Sequence, residues 1–218
     1  MLAYLILAIG IPSFLKFSVS SFFPNGIDEL VCALLYFGFW YFEFVNQVFV
    51  TIKNKQSILE IKNDKLSLLV IYLGFFVASY AAGWVAGLRF VNHFGALPVW
   101  TFYIGLALMA IGVFVREWSI YTLGRYFTFP VMIVKDQKLI IKGPYRFVRH
   151  PGYLAGALLF GGLALALQSW AAPIVVIVVL IPTYAYRIHL EEYALIKKFG
   201  KEYENYMKRT AMIIPYLI

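Results

Sequence analysis

The sequence contains a single cysteine, Cys32, among its 218 residues. One cysteine cannot form a disulfide within the chain, and neither a Cys-x-x-Cys pair nor a Cys/His spacing typical of zinc sites is present. We therefore expect no structural metal site. The sequence also lacks a glycine-rich loop of the type that cradles the phosphates of a dinucleotide, which argues against a nucleotide site of that kind.

Charged residues are scarce as well. They make up 14% of the chain, whereas about a quarter is usual for a soluble domain. Apolar residues make up 62% and fall in long runs, without the polar alternation of a half-buried surface. The composition therefore excludes an ordinary soluble domain and predicts an all-α integral membrane protein.

Acidic residues are outnumbered, with 11 Asp and Glu against 19 Lys and Arg and a net charge of +8. Such a surplus can indicate nucleic-acid binding. Here, however, the basic residues cluster between and after apolar spans, and no stripe of base-stacking aromatic residues accompanies them. We expect no nucleic-acid partner, and we expect membrane topology and contact with membrane lipids to explain the charge.

Six apolar segments predict membrane helices. They cover residues 2–19, 30–52, 68–88, 99–115, 153–167 and 171–186. The last two are shorter than the ~20 residues that a crossing needs, and the turn at residues 168–170 joins them into a helical hairpin, with Pro182 expected to kink its second arm. The first segment contains Pro12 but lacks the basic start of a secretory signal. We expect a retained helix there and six spans, or five if this segment lies in the interface.

The positions of lysine and arginine predict the orientation. Seventeen of the nineteen lie in three stretches, residues 53–65, 116–149 and 187–209. If six helices alternate, these stretches share one side, which the positive-inside rule makes cytoplasmic together with both termini. The chain divides into N-terminal transmembrane helices (1–115) and a second region (116–218), which includes the hairpin (153–187) and nearly all the unusual residues.

Two polar clusters stand out in the second region. Residues 143–156 read GPYRFVRHPGYLAG and lead directly into an apolar segment. Charged groups at the edge of hydrocarbon are costly, so they suggest a site for a polar ligand. After the hairpin, Arg187 and Glu191 are four apart and share a helix face. Glu192 points elsewhere and is expected to pair with His189 or with solvent.

These clusters resemble the isoprenylcysteine carboxyl methyltransferase family, which is related to the phospholipid N-methyltransferases. The first matches G-x-Y-x-x-x-R-H-P-x-Y-x-x-G, and the second matches R-x-x-x-E-E at residues 187–192. The closing F-G-K-E-Y-x-x-Y at 199–206 and the Ile-Pro pair at 214–215 add to the match. The resemblance covers residues 123–215, and it is the combined order and spacing that make it specific.

The resemblance implies a membrane-embedded methyltransferase that uses S-adenosyl-L-methionine. Its acceptor is lipophilic and reached from the bilayer, with carboxyl O-methylation of an isoprenylcysteine as the leading activity. It implies Arg187 and Glu191 as catalytic residues, with Arg187 binding the substrate, and places 116–218 as the catalytic region. The implied cofactor-binding residues are Gln137, Lys138, Leu139, Ile140, Tyr145, His150, Pro151, Gly152, Tyr153 and Glu191. Residues 126–132 (YFTFPVM) depart from the asparagine- and histidine-containing stretch of the eukaryotic enzymes, so no cofactor contact is assigned there.

Other functions stay open on the sequence alone. The acceptor of such a methyltransferase can also be a phospholipid amine or a small thiol, because one fold can serve different substrates. Sterol reductases share a similar C-terminal architecture but use NADPH, for which the chain shows no dinucleotide-type glycine loop. A non-enzymatic membrane protein is the third class, although the paired half-helices of transporters are not visible.

Glu43 is an ionisable residue within an apolar run, with Asn46 nearby. Such residues are usually paired or functional in membrane proteins. We expect Glu43 either to form an interhelical hydrogen bond or to take part in a substrate tunnel.

Overall fold

The computed structural model describes residues 65–92, 96–131 and 136–215, together with eleven residues between 31 and 46, called here the 31–46 segment. The predicted first span, Cys32 and nearly all of the basic stretch 53–65 lie outside the described residues. The described helices are α1 (Lys65–Asn92), α2 (Trp100–Leu123), α3 (Pro151–Ala166), α4 (Ala171–Phe199) and α5 (Lys201–Met207). The described ranges contain no strand, only two isolated bridges. The all-α class is confirmed.

Three helical stretches in the described part are long and apolar enough to cross a membrane. They are Leu66–Ala86, Trp100–Tyr126 and Ala171–Phe199, judged by length and composition. Pro151–Ala166 is apolar but shorter, as expected for the first arm of the hairpin. The number of spans in the whole chain stays a prediction.

Two helices continue beyond their apolar runs. Helix α2 passes residue 115 and ends at Leu123, and α4 passes residue 186 and ends at Phe199. The apolar pattern identifies only the part of a helix that lies in the hydrocarbon, whereas the helical backbone hydrogen bonding continues into the polar turns beyond it. The proposed division at 115/116 therefore falls inside one continuous helix. Pro182 lies within α4, and its kink stays a prediction.

Helices α2 and α3 approach closely because glycines face each other. A Cβ on Gly162 would lie 2.5 Å from the carbonyl oxygen of Gly105, and a Cβ on Gly105 would lie 2.5 Å from the carbonyl oxygen of Gly162. Lipid tails are as apolar as the side chains, so association of membrane helices depends on such close packing of small residues. This contact fixes the hairpin against α2.

The variant Gly162→Val is expected to destabilise the protein by about 1–3 kcal/mol, because the added side chain forces the two backbones apart. The measurement is the thermal unfolding midpoint in detergent. Gly161→Val is the matched control, since nothing lies within 4 Å of a Cβ at that position. Equal losses in the two variants would assign the effect to helix propensity instead of the α2–α3 contact.

The 31–46 segment packs on the bundle through aromatic rings. Trp40 meets Phe75 of α1 with ring centroids 6.2 Å apart, and Phe39 meets Phe160 of α3 at 6.5 Å. Edge-to-face pairs of this kind add to the burial of apolar area. The contacts hold the segment against α1 and α3.

Candidate active site

A cavity of about 220 Å³ lies between α1, α2, α4 and the connection from α2 to α3. Every residue that the sequence assigned to cofactor or substrate lines it: Gln137, Lys138, Leu139, Ile140, Tyr145, His150, Pro151, Gly152, Tyr153, Arg187 and Glu191. The hairpin of α3 and α4 reverses the chain and brings the second polar cluster back to the first. The structure thus joins the predicted residues in one place, and their individual roles stay predictions.

His150 lies between two carboxylates. Its Nδ1 is 3.5 Å from Glu191 Oε2, and its Nε2 is 3.1 Å from Glu192 Oε1. Burial disfavours the imidazolium, but hydrogen bonds to Glu191 and Glu192 and their charges outweigh it and raise the pKa of His150 above its ordinary value. The stabilisation from the charged form is therefore complete below the ordinary pKa and is lost as pH rises through the raised one.

Arg187, Tyr153 and Glu191 form a connected group. The Tyr153 hydroxyl donates to Glu191 Oε1 at 2.5 Å, and Arg187 Nε lies 3.4 Å from the same oxygen. Arg187 also donates to Ser67 Oγ and to the carbonyl oxygen of Phe129. The arginine is 3% exposed, whereas the Glu191 side chain is 28% exposed. The carboxylate therefore faces the cavity, and the guanidinium is held from several sides.

Glu192 does not pair with His189 or with solvent, and that expectation is wrong. It accepts hydrogen bonds from Arg149 Nε at 2.9 Å and from the ring of His150. Helical spacing identifies only neighbours on the same helix, whereas these partners come from the segment before α3. Arg149 in turn donates to the carbonyl oxygens of Met207 and Thr210.

The chain at and after α5 is hydrogen-bonded to the segment that carries Tyr145, Arg149 and His150. The backbone N–H of Arg149 donates to the carbonyl oxygen of Ala211 at 2.8 Å, and that of His150 donates to Met212 at 3.0 Å. The Tyr206 hydroxyl donates to the carbonyl oxygen of Tyr145 at 2.5 Å. Burial raises the pKa of Tyr145, so its hydroxyl stays neutral and can act as a hydrogen-bond donor at neutral pH.

Sequence reasoning missed Arg116 and the stretch 127–131, which both line the cavity. Arg116 was counted only as a topology charge, yet it forms two hydrogen bonds with Glu43, which also lines the cavity. The signal was present, because two opposite charges in apolar surroundings usually pair. The interhelical bond expected of Glu43 is confirmed, and its role in a substrate tunnel stays a prediction.

The chain is similar in sequence to known proteins. A model of the family described as phospholipid methyltransferase matches residues 100–202. A probable protein-S-isoprenylcysteine O-methyltransferase of Oryza sativa subsp. indica is 35% identical over 117 residues, 53% of this chain and 61% of that protein. The corresponding enzyme of Saccharomyces cerevisiae is 31% identical over 116 residues, 52% of this chain and 48% of that protein. The chain therefore spans less than two thirds of these curated relatives.

A solved structure is also similar in fold. It is that of a eukaryotic intramembrane Ras methyltransferase, an isoprenylcysteine carboxyl methyltransferase. The TM-score is 0.57 at 20% sequence identity, and the match covers 99% of this chain and 85% of the other. At this identity the likeness shows a shared fold and leaves the chemistry to be argued from the site.

Proposed function

We propose that the protein is a membrane-embedded methyltransferase that uses S-adenosyl-L-methionine, because a model of the phospholipid methyltransferase family matches residues 100–202. Its proposed acceptor is a lipophilic molecule bearing a carboxylate, of the isoprenylcysteine type. The catalytic side and both chain termini are proposed to face the cytoplasm, on the strength of the three basic stretches.

The cavity residues fit such a cofactor. The exposed edge of the Glu191 carboxylate suits a cationic group, and the rings of Tyr145 and Tyr153 offer flat faces beside polar hydroxyls. Leu139 and Ile140 add apolar wall. When bound, the cofactor supplies a reactive sulfonium methyl group, so the task of the protein is to place the acceptor in line with it.

One observation favours a carboxylate acceptor: the two groups that could act as a base are already engaged. His150 has a carboxylate against each ring nitrogen, so in either protonation form both ring nitrogens are engaged by protein groups. These carboxylates raise the pKa of His150, and once it is protonated the imidazole cannot take up a proton from a substrate. Glu191 accepts from Tyr153 and faces Arg187. A carboxylic acid with a pKa of about 4 is ionised at neutral pH without help, whereas an amine of pKa about 10 must first lose a proton.

A lipophilic acceptor also matches the apolar side of the cavity. Phe39 and Trp40 of the 31–46 segment line it together with Ile71 and Phe75 of α1. These residues lie among helices long and apolar enough to span a membrane. An apolar chain entering from the bilayer would contact this side while its polar end reached Arg187.

Purified protein is expected to bind S-adenosylmethionine or S-adenosylhomocysteine with micromolar affinity, about −8 kcal/mol. Calorimetry measures this affinity, with NADPH as the comparison ligand. Labelled cofactor is then supplied with a prenylated cysteine, phosphatidylethanolamine or a small thiol. Transfer to the prenylated cysteine supports the proposal, and transfer to the phospholipid amine alone would replace the acceptor. Tight NADPH binding without any response to S-adenosylhomocysteine would overturn the methyltransferase assignment.

A further inference from the structure

We propose that Glu43 is a positioning residue that holds the Arg116 guanidinium at the cavity wall as a carboxylate-binding group. The inference rests on the proposed function and extends the site to the 31–46 segment, which lies outside the matched region 100–202. It gives the N-terminal part of the chain a role in the chemistry in addition to its role in packing.

The contact between the two residues is bidentate. Arg116 Nε donates to Glu43 Oε1, and Arg116 Nη2 donates to Glu43 Oε2 at 2.9 Å. Two parallel hydrogen bonds fix the plane of a guanidinium as well as its position. The Glu43 side chain is 7% exposed and the Arg116 side chain 19% exposed. The carboxylate is therefore enclosed, whereas part of the guanidinium stays open to the cavity that both residues line.

The remaining nitrogen of Arg116 lies against the first turn of α3. Pairing with Glu43 uses Nε and Nη2, which leaves the Nη1 donors. A Cβ on Gly152 would lie only 2.7 Å from Nη1, so glycine at this position lets the guanidinium approach the start of α3. The Arg116 guanidinium carbon lies 5.3 Å from the centroid of the Phe127 ring. The ring and the carboxylate together hold Nη1 where the polar ligand is expected.

A guanidinium presents planar donors that match a carboxylate, which a flexible ammonium does not. Without Glu43, the partly buried Arg116 would lose its partner and its fixed orientation, and its charge would be left uncompensated. Both the acceptor and the cofactor of the proposed reaction bear a carboxylate. The shared chemistry is thus a carboxylate bound by Arg116, and separate binding and turnover measurements identify which molecule supplies it.

The test compares Glu43→Gln with Asn46→Ala. Asn46 Nδ2 donates to Glu117 Oε1 at 3.3 Å, so this pair also joins the 31–46 segment to α2. Neither Asn46 nor Glu117 lines the cavity. Losing one partner of a buried charged pair is expected to lower kcat/KM about 30-fold or more in Glu43→Gln. Asn46→Ala is expected to stay close to wild type. Glu43→Asp, which keeps the charge, is expected to recover part of the loss.

Two measurements locate the carboxylate. A loss of S-adenosylhomocysteine affinity in calorimetry assigns Arg116 to the cofactor, whereas a raised acceptor KM at unchanged cofactor affinity assigns it to the acceptor. Equal kinetics and affinity in Glu43→Gln and Asn46→Ala would overturn the inference. A wild-type protein that neither binds the cofactor nor transfers a methyl group would instead refute the proposed function.

A charge exchange separates positioning from simple stabilisation. The double variant Glu43→Arg with Arg116→Glu restores an ion pair at the same place but moves the guanidinium from α2 to the 31–46 segment. Thermal stability in detergent is expected to recover relative to either single variant, while kcat/KM stays low. Recovery of both quantities would show that only the presence of the pair matters, and the positioning role would be wrong. Stability and kcat/KM both staying low would show that the pair does not re-form, and the geometry assigned to it would be wrong.

Discussion

Replacing Glu191 with alanine is expected to weaken cofactor binding by about 30-fold to several thousandfold, equivalent to about 2–5 kcal/mol. The carboxylate faces the cavity and is also the partner of Tyr153, His150 and Arg187. Its removal would leave a bound cation unpaired, with the Arg187 guanidinium nearby. Calorimetry with S-adenosylhomocysteine measures the loss.

Glu191→Gln and Glu192→Gln are the controls for this variant. Glu191→Gln keeps the shape and can still accept from Tyr153, so it isolates the contribution of the charge. Glu192 is not among the cavity residues and binds Arg149 and His150. Its variant is expected to lower thermal stability more than cofactor affinity. Near wild-type affinity in both Glu191 variants would show that the cofactor binds elsewhere.

Arg187→Ala is expected to lower turnover at least about a hundredfold while cofactor affinity falls far less. Arg187 is assigned to the negative group of the acceptor, and in the structure it is held by Ser67, Phe129 and Glu191. The measurement is a methyl-transfer assay and a cofactor-binding assay on one preparation. Arg187→Lys is expected to recover only part of the activity, because an ammonium lacks the planar pair of donors.

Because Arg187 is buried, its loss can also lower stability. Ser67→Ala is the control, since it removes one support of the guanidinium but leaves the charge in place. Full turnover in Arg187→Ala would mean that the residue is structural. A loss of cofactor affinity as severe as in Glu191→Ala would move Arg187 into the cofactor pocket.

The fold class and the family resemblance followed from local sequence features, and both are confirmed. Apolar runs predict membrane helices because, inside hydrocarbon, every backbone polar group of a span must be hydrogen-bonded within the protein. The R-H-P-x-Y and R-x-x-x-E-E motifs are short, and each is encoded within a few residues. The i,i+4 contact between Arg187 and Glu191 needs only helical geometry.

Contacts between distant segments were harder to predict. The pairing of Glu192 with Arg149 and His150 spans more than forty residues, and that of Glu43 with Arg116 spans 73. Spacing gives no information about such pairs, because they depend on how whole helices pack. The helices that continue beyond the apolar spans were missed for a different reason, since hydropathy does not show where backbone hydrogen bonding stops.

The pairing of residues 149–150 with residues 211–212 has a consequence for how the protein is made. A chain whose synthesis has reached only the end of α4 already contains both polar clusters, yet it lacks the strip that holds Arg149 and His150 in place. During that interval the backbone N–H groups of Arg149 and His150 lack their acceptors, the carbonyl oxygens of Ala211 and Met212. The site therefore cannot be complete until residues 211–212 have been synthesised.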